Sequence, residues 1–272
     1  MSHNQVLEQN QVLAQEIKRL TPKDFQYFNL DQWEQAIDLS DNLSKNIIRK
    51  ANRTIIVIDN VLQNPYKFRD LLINGAKLVD CRWHPTNFSP GYRQFYDSKL
   101  FYSIHKLAVD TYAEAHPLAR LAFKMNVDVT WKSSFTNIYQ EYMKVPPRGN
   151  QPHCDGCNFV WSLWLNEESG AGGTSFWSYQ NKHYYSELNE SEQTEFNSRA
   201  EQLDDGDDLD RFINYEPTAG WQLELISEMK FNRLLIYPGN SFHAPHIPTG
   251  VFEDAVRYAL ISMGIAQTKS GY

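Results

Sequence analysis

The first chemical signal in this chain is a histidine and a carboxylate at fixed spacing. In Gln151-Pro-His153-Cys-Asp155-Gly156 an imidazole and a carboxylate stand two residues apart. On extended backbone, residues i and i+2 point to the same face. Such a pair can hold one metal ion in adjacent coordination positions. A third ligand must come from elsewhere, and the best placed is His243 in Tyr237-Pro-Gly-Asn-Ser-Phe-His243, 90 residues on. Two histidines and one carboxylate on neighbouring strands form the facial set that suits non-haem Fe(II) and leaves three positions open. A lone His-x-Asp arises by chance; the distal histidine and a later arginine give it weight. That arginine, Arg257, opens the mostly apolar run Val256-Arg-Tyr-Ala-Leu-Ile-Ser-Met263. A guanidinium turned into such a core needs an anion, and a carboxylate can satisfy it bidentately. A dicarboxylate could then span Arg257 and the metal.

Other reactive residues read as structural. Cys154 and Cys157 form a Cys-x-x-Cys, but zinc would need two further thiolates or imidazoles, and Cys81 is distant. On a strand, Cys154 would point away from His153 and Asp155. His84, His105, His116 and His183 stand without evident partners and are read as ordinary histidines. Trp161, Trp164, Trp177, Tyr184 and Tyr185 are read as core and wall rather than as a recognition cage. Arg148 and Asn150, just before the His-x-Asp, stand in a loop that could reach substrate. The chain has no Gly-x-Ser-x-Gly elbow and neither glycine-rich nucleotide loop, so a serine hydrolase and a nucleotide fold have no footing.

The elements that must position these residues are mostly strands. Thr54–Ile58 is β-branched and almost wholly apolar. Phe159–Leu165, Thr174–Tyr179, Gln222–Ile226, Arg233–Tyr237 and Arg257–Gly264 have strand character, and Val127–Trp131 with Ser134–Tyr142 reads as a strand pair. Asn64 and Pro65 form a good start for a helix over Tyr66–Lys77, and a second runs from about Ser98 to Glu114. Two more helical stretches, residues 5–20 and Asp31–Asn46, precede the first strand. The segment Ser186–Arg211 is strongly acidic and reads as a solvated insertion. Its Asp204–Asp210 run lacks the register of a calcium loop.

These elements predict a mainly β protein with flanking helices, a jelly roll (double-stranded β-helix, cupin-like). Residues 1–50 are expected as an N-terminal helical cap. Residues 51–272 are expected as a single domain with supporting helices at about 60–115 and the acidic insertion at about 186–211. The 26 basic against 33 acidic residues give a net charge of −7, which argues against binding of a nucleic-acid backbone. With 42% apolar and 14% aromatic residues, the chain is too apolar to be disordered. It has no run of about 18 apolar residues, so no membrane span is expected. Three cysteines and no apolar leader point to a reducing cytoplasm. Oligomeric state is not readable.

In these residues the sequence resembles the Fe(II)/2-oxoglutarate-dependent dioxygenases, closest to the prolyl-hydroxylase-like branch and an uncharacterised subset of it. The matching pieces are Tyr139, His153-Cys-Asp155, Trp164-Leu-Asn166, Gly172-Gly-Thr-Ser-Phe176, Arg233-Leu-Leu-Ile-Tyr-Pro238, His243 and Arg257-Tyr-Ala-Leu260, over roughly residues 125–265. The resemblance implies His153, Asp155 and His243 as iron ligands. It implies that Arg257 binds the distal carboxylate of 2-oxoglutarate and that Tyr139 contacts this cosubstrate. Dioxygen is the co-reactant, and the substrate is a small molecule or a peptidyl residue. The interval from His243 to Arg257 is 14 residues, and His246 would shorten it to 11, so His246 stands as the alternative distal ligand. His243 is preferred because it keeps the family's distance from Tyr-Pro. The position nearest the family's polar cosubstrate contact on the strand Phe159–Leu165 is Leu163.

Overall fold

The run Arg53-Thr-Ile-Ile-Val-Ile-Asp59 forms strand β2, buried almost throughout. A strand apolar on both faces needs cover on both. Its partner β1 (Ser44–Lys50) lies antiparallel to it at the sheet edge and is largely exposed. A computed structural model describes residues 37–50, 52–75, 79–80, 92–96, 98–116, 127–138, 152–167, 172–202, 220–246 and 256–268. The other strands are β3 (Val79–Asp80), β4 (Tyr92–Tyr96), β5 (Val127–Ile138), β6 (Phe159–Trp164), β7 (Gly173–Tyr179), β8 (Trp221–Glu228), β9 (Arg233–Pro238), β10 (His243–His246) and β11 (Arg257–Thr268). The helices are α1 (Pro65–Gly75), α2 (Tyr102–Ala115) and α3 (Glu190–Gln202).

The strands form two antiparallel sheets. The larger has the order β1-β2-β9-β6-β11-β5-β4-β3, and the smaller β10-β7-β8. Alternation along the central strands separates two cores. Ile56 and Ile58, Trp161 and Leu163, Leu234 and Ile236, and Leu260 pack against Phe68 and Leu72 of α1 and Ile104 and Ala108 of α2. The intervening residues Ile55 and Val57, Val160 and Trp164, Leu235 and Tyr237, and Ala259 pack with Phe176 and Leu225 of the small sheet. The layers therefore run helices, large sheet, small sheet. On the outer side of the small sheet, Trp177, Tyr179, Phe242 and Ala244 form a third cluster, with Phe196 of α3 against it.

Most sequence expectations hold, including the strand at Thr54–Ile58 and the supporting helices. Three need correction. The helix expected over Asp31–Asn46 does not extend through its second half: Leu39 bridges to Leu62, and Ser44 begins β1. The β1 sequence is polar and exposed, so only backbone pairing to β2 reveals it as a strand. Residues 1–36, including the rest of the expected cap, lie outside the described residues. The strand pair expected after Val127 is one strand, β5, paired with β11 from Val127 to Ile138 without a turn. The acidic insertion is more than a solvated excursion, because Leu188 and Phe196 bury apolar surface on the small sheet. Its Asp204–Asp210 run lies outside the described residues. Among the described residues, no helix is long and apolar enough to cross a membrane.

Candidate metal centre

One backbone rung sets the two imidazoles side by side. The His153 N–H donates to the His243 carbonyl at 2.9 Å, and the His243 N–H returns a bond of 2.9 Å to the His153 carbonyl. The two rings stand 4.7 Å apart between centroids. Asp155 is fixed by its own N–H, which donates to the Gly239 carbonyl at 2.7 Å. Gly239 is needed for that approach: a Cβ there would meet the Cys157 carbonyl oxygen at 2.6 Å. Asp155 Oδ2 lies 3.3 Å from His243 Nε2, and Asp155 Oδ1 lies 3.9 Å from His153 Nε2. One donor atom from each of the three residues lies within 4.8 Å of the others.

The chemistry of this donor set fits a divalent metal. His243 Nδ1 sits 2.9 Å from the Ser241 carbonyl, which can only accept, so Nδ1 carries the hydrogen. That tautomer leaves a lone pair on Nε2, facing Asp155, as a ligating imidazole requires. The site is open on one side: the His153 side chain is 38% exposed, against 6% for His243. Tyr237 and Phe176 close the inner side, with the Tyr237 ring 4.8 Å from His243 and 5.2 Å from Phe176.

Arg257 begins β11 and is almost completely buried. Its Nη2 donates to the Gly173 carbonyl at 3.3 Å, and its Nε is buried without a hydrogen-bond partner among the described residues. Gly173 has φ of +147°, and a Cβ there would collide with the Ser227 carbonyl oxygen. Among the described residues, no carboxylate pairs with this guanidinium. Burial lowers its pKa to about 10, offset in part by Tyr237. It therefore remains a buried cation at neutral pH. Such a charge is costly unless an anion meets it.

The structure brings His153, Asp155 and His243 together, and it separates His246 from them. His246 is buried, and burial followed by the positive charge of Arg257 lowers its pKa to about 4. It is a neutral neighbour of Arg257 and does not belong to the three-residue group. Leu163 packs on the helix-covered face and not toward the site, because strand alternation turns it away. Tyr139, Arg148 and Asn150 lie outside the described residues, as do Cys81 and His84.

Cys154 and Cys157 pack toward different cores. Burial raises their thiols to about 11 and about 12, so neither is a ready thiolate. Trp161, Trp164 and Trp177 fall into three separate clusters, so they form no common cage. His105 lies in the helix-side core 3.2 Å from Ser262, His116 stacks on Tyr112, and His183 approaches Glu224. The residue that sequence reasoning passed over is Tyr237. Its signal was a lone polar group in the apolar strand Leu234-Leu-Ile-Tyr237, with Leu235 fixing which face it shares.

No curated protein matches the chain. Solved structures do, distantly. The non-heme alpha ketoglutarate dependent epimerase SnoN from nogalamycin biosynthesis matches at 12% identity and a TM-score of 0.39, over 78% of this chain and 77% of that one. The carbocyclase SnoK from the same biosynthesis matches at 11% and 0.38, over 94% and 88%. The Fe(II)/(alpha)ketoglutarate-dependent dioxygenase TqaL matches at 11% and 0.29, over 98% and 89%. Likeness at these scores carries no weight for the chemistry. A family model described as "Family of unknown function (DUF6445)" matches residues 41–256, and the chain belongs to that family.

Proposed function

We propose that this protein is an Fe(II)- and 2-oxoglutarate-dependent oxygenase that hydroxylates a small molecule or a peptidyl residue. The observation that carries this reading is the convergence of His153, Asp155 and His243 within 4.8 Å, with the His243 tautomer set for ligation. The two packed antiparallel sheets support a double-stranded β-helix as the frame. His153, Asp155 and His243 would hold the iron. Bound there with 2-oxoglutarate and dioxygen, iron would supply the oxidising power that the side chains lack.

The chain's own residues position and shield. The paired rung of His153 and His243 and the Asp155–Gly239 bond fix the three ligands before metal arrives. Arg257, buried and without a carboxylate partner among the described residues, is suited to the distal carboxylate of the cosubstrate. Phe176 and Tyr237 keep water from the inner side. Tyr139 belongs to the same proposal as a cosubstrate contact. The two protonated thiols and an Fe(II) site suit a reducing cytoplasm.

The test is anaerobic addition of Fe(II) and 2-oxoglutarate. A weak visible charge-transfer absorption is expected, and His153→Ala should lose it. Succinate should form once oxygen and candidate substrates are supplied. Absence of both the absorption and the succinate would end this reading.

A further inference from the structure

The turn between β1 and β2 reaches the distal histidine by way of the segment that leads into the acidic insertion. On β2, Ile55 and Val57 face the small sheet, and Arg53, two residues before Ile55, shares that face. Arg53 is only 1% exposed. Burial lowers its pKa to about 10, offset in part by Tyr184, Glu224 and Glu187, so it stays a cation at neutral pH. A buried cation costs free energy that an apolar side chain of similar size would not. Its Nη2 donates to the Trp177 carbonyl, and to the His183 carbonyl at 3.3 Å. The Trp177 carbonyl lies at a bulge: Phe176 pairs with Leu225 and Trp177 with Leu223, leaving Glu224 opposite no residue of β7.

A second bond ties the same segment to the same turn. The Tyr184 hydroxyl donates to the Asn52 carbonyl at 2.8 Å. Asn52 has φ of +59°, a left-handed conformation that asparagine tolerates in turns. Residues 183–185 then lie antiparallel to residues 240–242. Tyr184 pairs with Ser241, the Phe242 N–H donates to the His183 carbonyl at 3.1 Å, and the Tyr185 N–H donates to the Asn240 carbonyl at 3.1 Å. On its other side, the Phe242 carbonyl accepts from the Trp177 N–H at 3.0 Å. Arg53 therefore holds both residues that bond the Phe242 backbone. The next residue is His243, and the Ser241 carbonyl is the group that fixes its tautomer.

We infer that Arg53 and Tyr184 are positioning residues for the metal: by pinning residues 183–185 to the β1–β2 turn, they hold His243 Nε2 where it can share an ion with His153 and Asp155. The chain leading into the acidic insertion thus has a role that its charge does not reveal. This rests on the reading of His153, Asp155 and His243 as the ligands.

The experiment is titration of Mn(II) and of Co(II) into the full chain, wild type and variants. Electron paramagnetic resonance reads Mn(II) affinity, and visible absorption reads Co(II) geometry. Tyr184→Phe keeps the ring and removes the bond to Asn52; its Mn(II) dissociation constant should rise about threefold. Arg53→Met keeps much of the volume and removes both carbonyl bonds, so its rise should be about tenfold. Arg53→Lys should fall between Arg53→Met and wild type. In Tyr184→Phe and Arg53→Met the Co(II) absorption should move toward that of His243→Ala. Phe101→Ala loosens the opposite core and is the control; its folded fraction should bind Mn(II) as wild type does. Wild-type Mn(II) affinity or Co(II) absorption in Tyr184→Phe, or in folded Arg53→Met, overturns the inference and leaves the metal site intact. If Arg53→Met does not fold, Tyr184→Phe decides alone. An equal loss of affinity in Phe101→Ala also overturns the inference, since affinity would then follow stability alone. Failure of the wild type to bind either ion overturns the metal reading as well.

Discussion

On β9, Leu234 and Ile236 face the helices, while Leu235 and Tyr237 face the small sheet. The same alternation runs through β2, β6 and β11, so one set of strands lines two interiors. Toward the helices the lining is apolar with a few neutral polar groups, Thr111 and Ser262 among them: the buried His105 meets Ser262 at 3.2 Å and lies against Trp161. Toward the small sheet the same strands also present Ser162, Trp164, Tyr237 and Arg257, with donors at Trp164 and Arg257 unmatched among the described residues. A face lined by apolar and neutral groups is a core. A face that carries a buried guanidinium is where an anionic ligand adds a partner.

The largest effect should come from the closed face. Phe101 is fully buried and meets Phe68 and Tyr96 edge-on at 6.3 and 5.7 Å. Phe101→Ala should destabilise by about 3–5 kcal/mol, because a cavity adds to the lost transfer energy. Urea denaturation measures it. Metal affinity of the fraction still folded should not change. The open face should behave oppositely. Arg257→Met removes a buried cation that no carboxylate among the described residues meets, and keeps much of its volume. The ligand-free protein should be no less stable. Its affinity for 2-oxoglutarate should fall by about 100-fold, as a buried charge-assisted pair is worth about 2–5 kcal/mol when truncated. A clear stability loss in Arg257→Met would show that the chain itself completes this face.

The third expectation concerns pH on the closed face. Burial lowers the His105 pKa to about 3, far below its ordinary 6.5. The unfolded chain therefore takes up a proton near pH 6.5 that the folded chain refuses. A depressed histidine leaves its stability intact above pH 6.5 and loses it as pH falls toward the folded value. From pH 8 to pH 5 this amounts to about 2 kcal/mol. His246, lowered to about 4, acts in the same direction, so the comparison must be made between wild type and His105→Gln. The variant should lose less stability than wild type across that range; parallel profiles would mean that His105 is not held neutral.

Legibility in the sequence followed how each residue acts. His153, Asp155, His243 and Arg257 carry rare side-chain types at telling spacings, and the structure gathers the first three. The choice between His243 and His246 needed the structure, because it turns on which imidazole the rung to His153 brings alongside Asp155. For the strand Phe159–Leu165 the sequence offered only Leu163 near the family's polar contact, because a period of two tells which residues share a side but not which side is inward; the structure turns Leu163 toward the helices. Strand β1 was hidden because an exposed edge carries no apolar alternation. Tyr237 looked like one more strand aromatic. Only its hydroxyl's bond to Ser162, two residues along β6 from its register partner Val160, separates it from packing.

The smallest expected effect tests the outer cover of the small sheet against that of the large one. Helix α3 is strongly acidic, and little apolar surface holds it down. Phe196 packs on Tyr179, Tyr185, Trp221 and Phe242, with ring centroids 5.4–5.9 Å away, yet it stays partly exposed. Lys182 also pairs with Glu192 near the start of the helix, in a position where solvent weakens the pair. Phe196→Ala should therefore cost only about 1–2 kcal/mol, less than Phe101→Ala, because a half-buried ring has less transfer energy to lose. Hydrogen exchange should quicken in α3 while β6, β9 and β11 keep their protection, since locally weak units open without the core. The reason to expect this split is that Phe196 packs in the cluster on the outside of the small sheet, whereas Phe101 closes the core against which the site-bearing strands are packed. Quickened exchange across the large sheet as well would mean that the two covers are one cooperative unit.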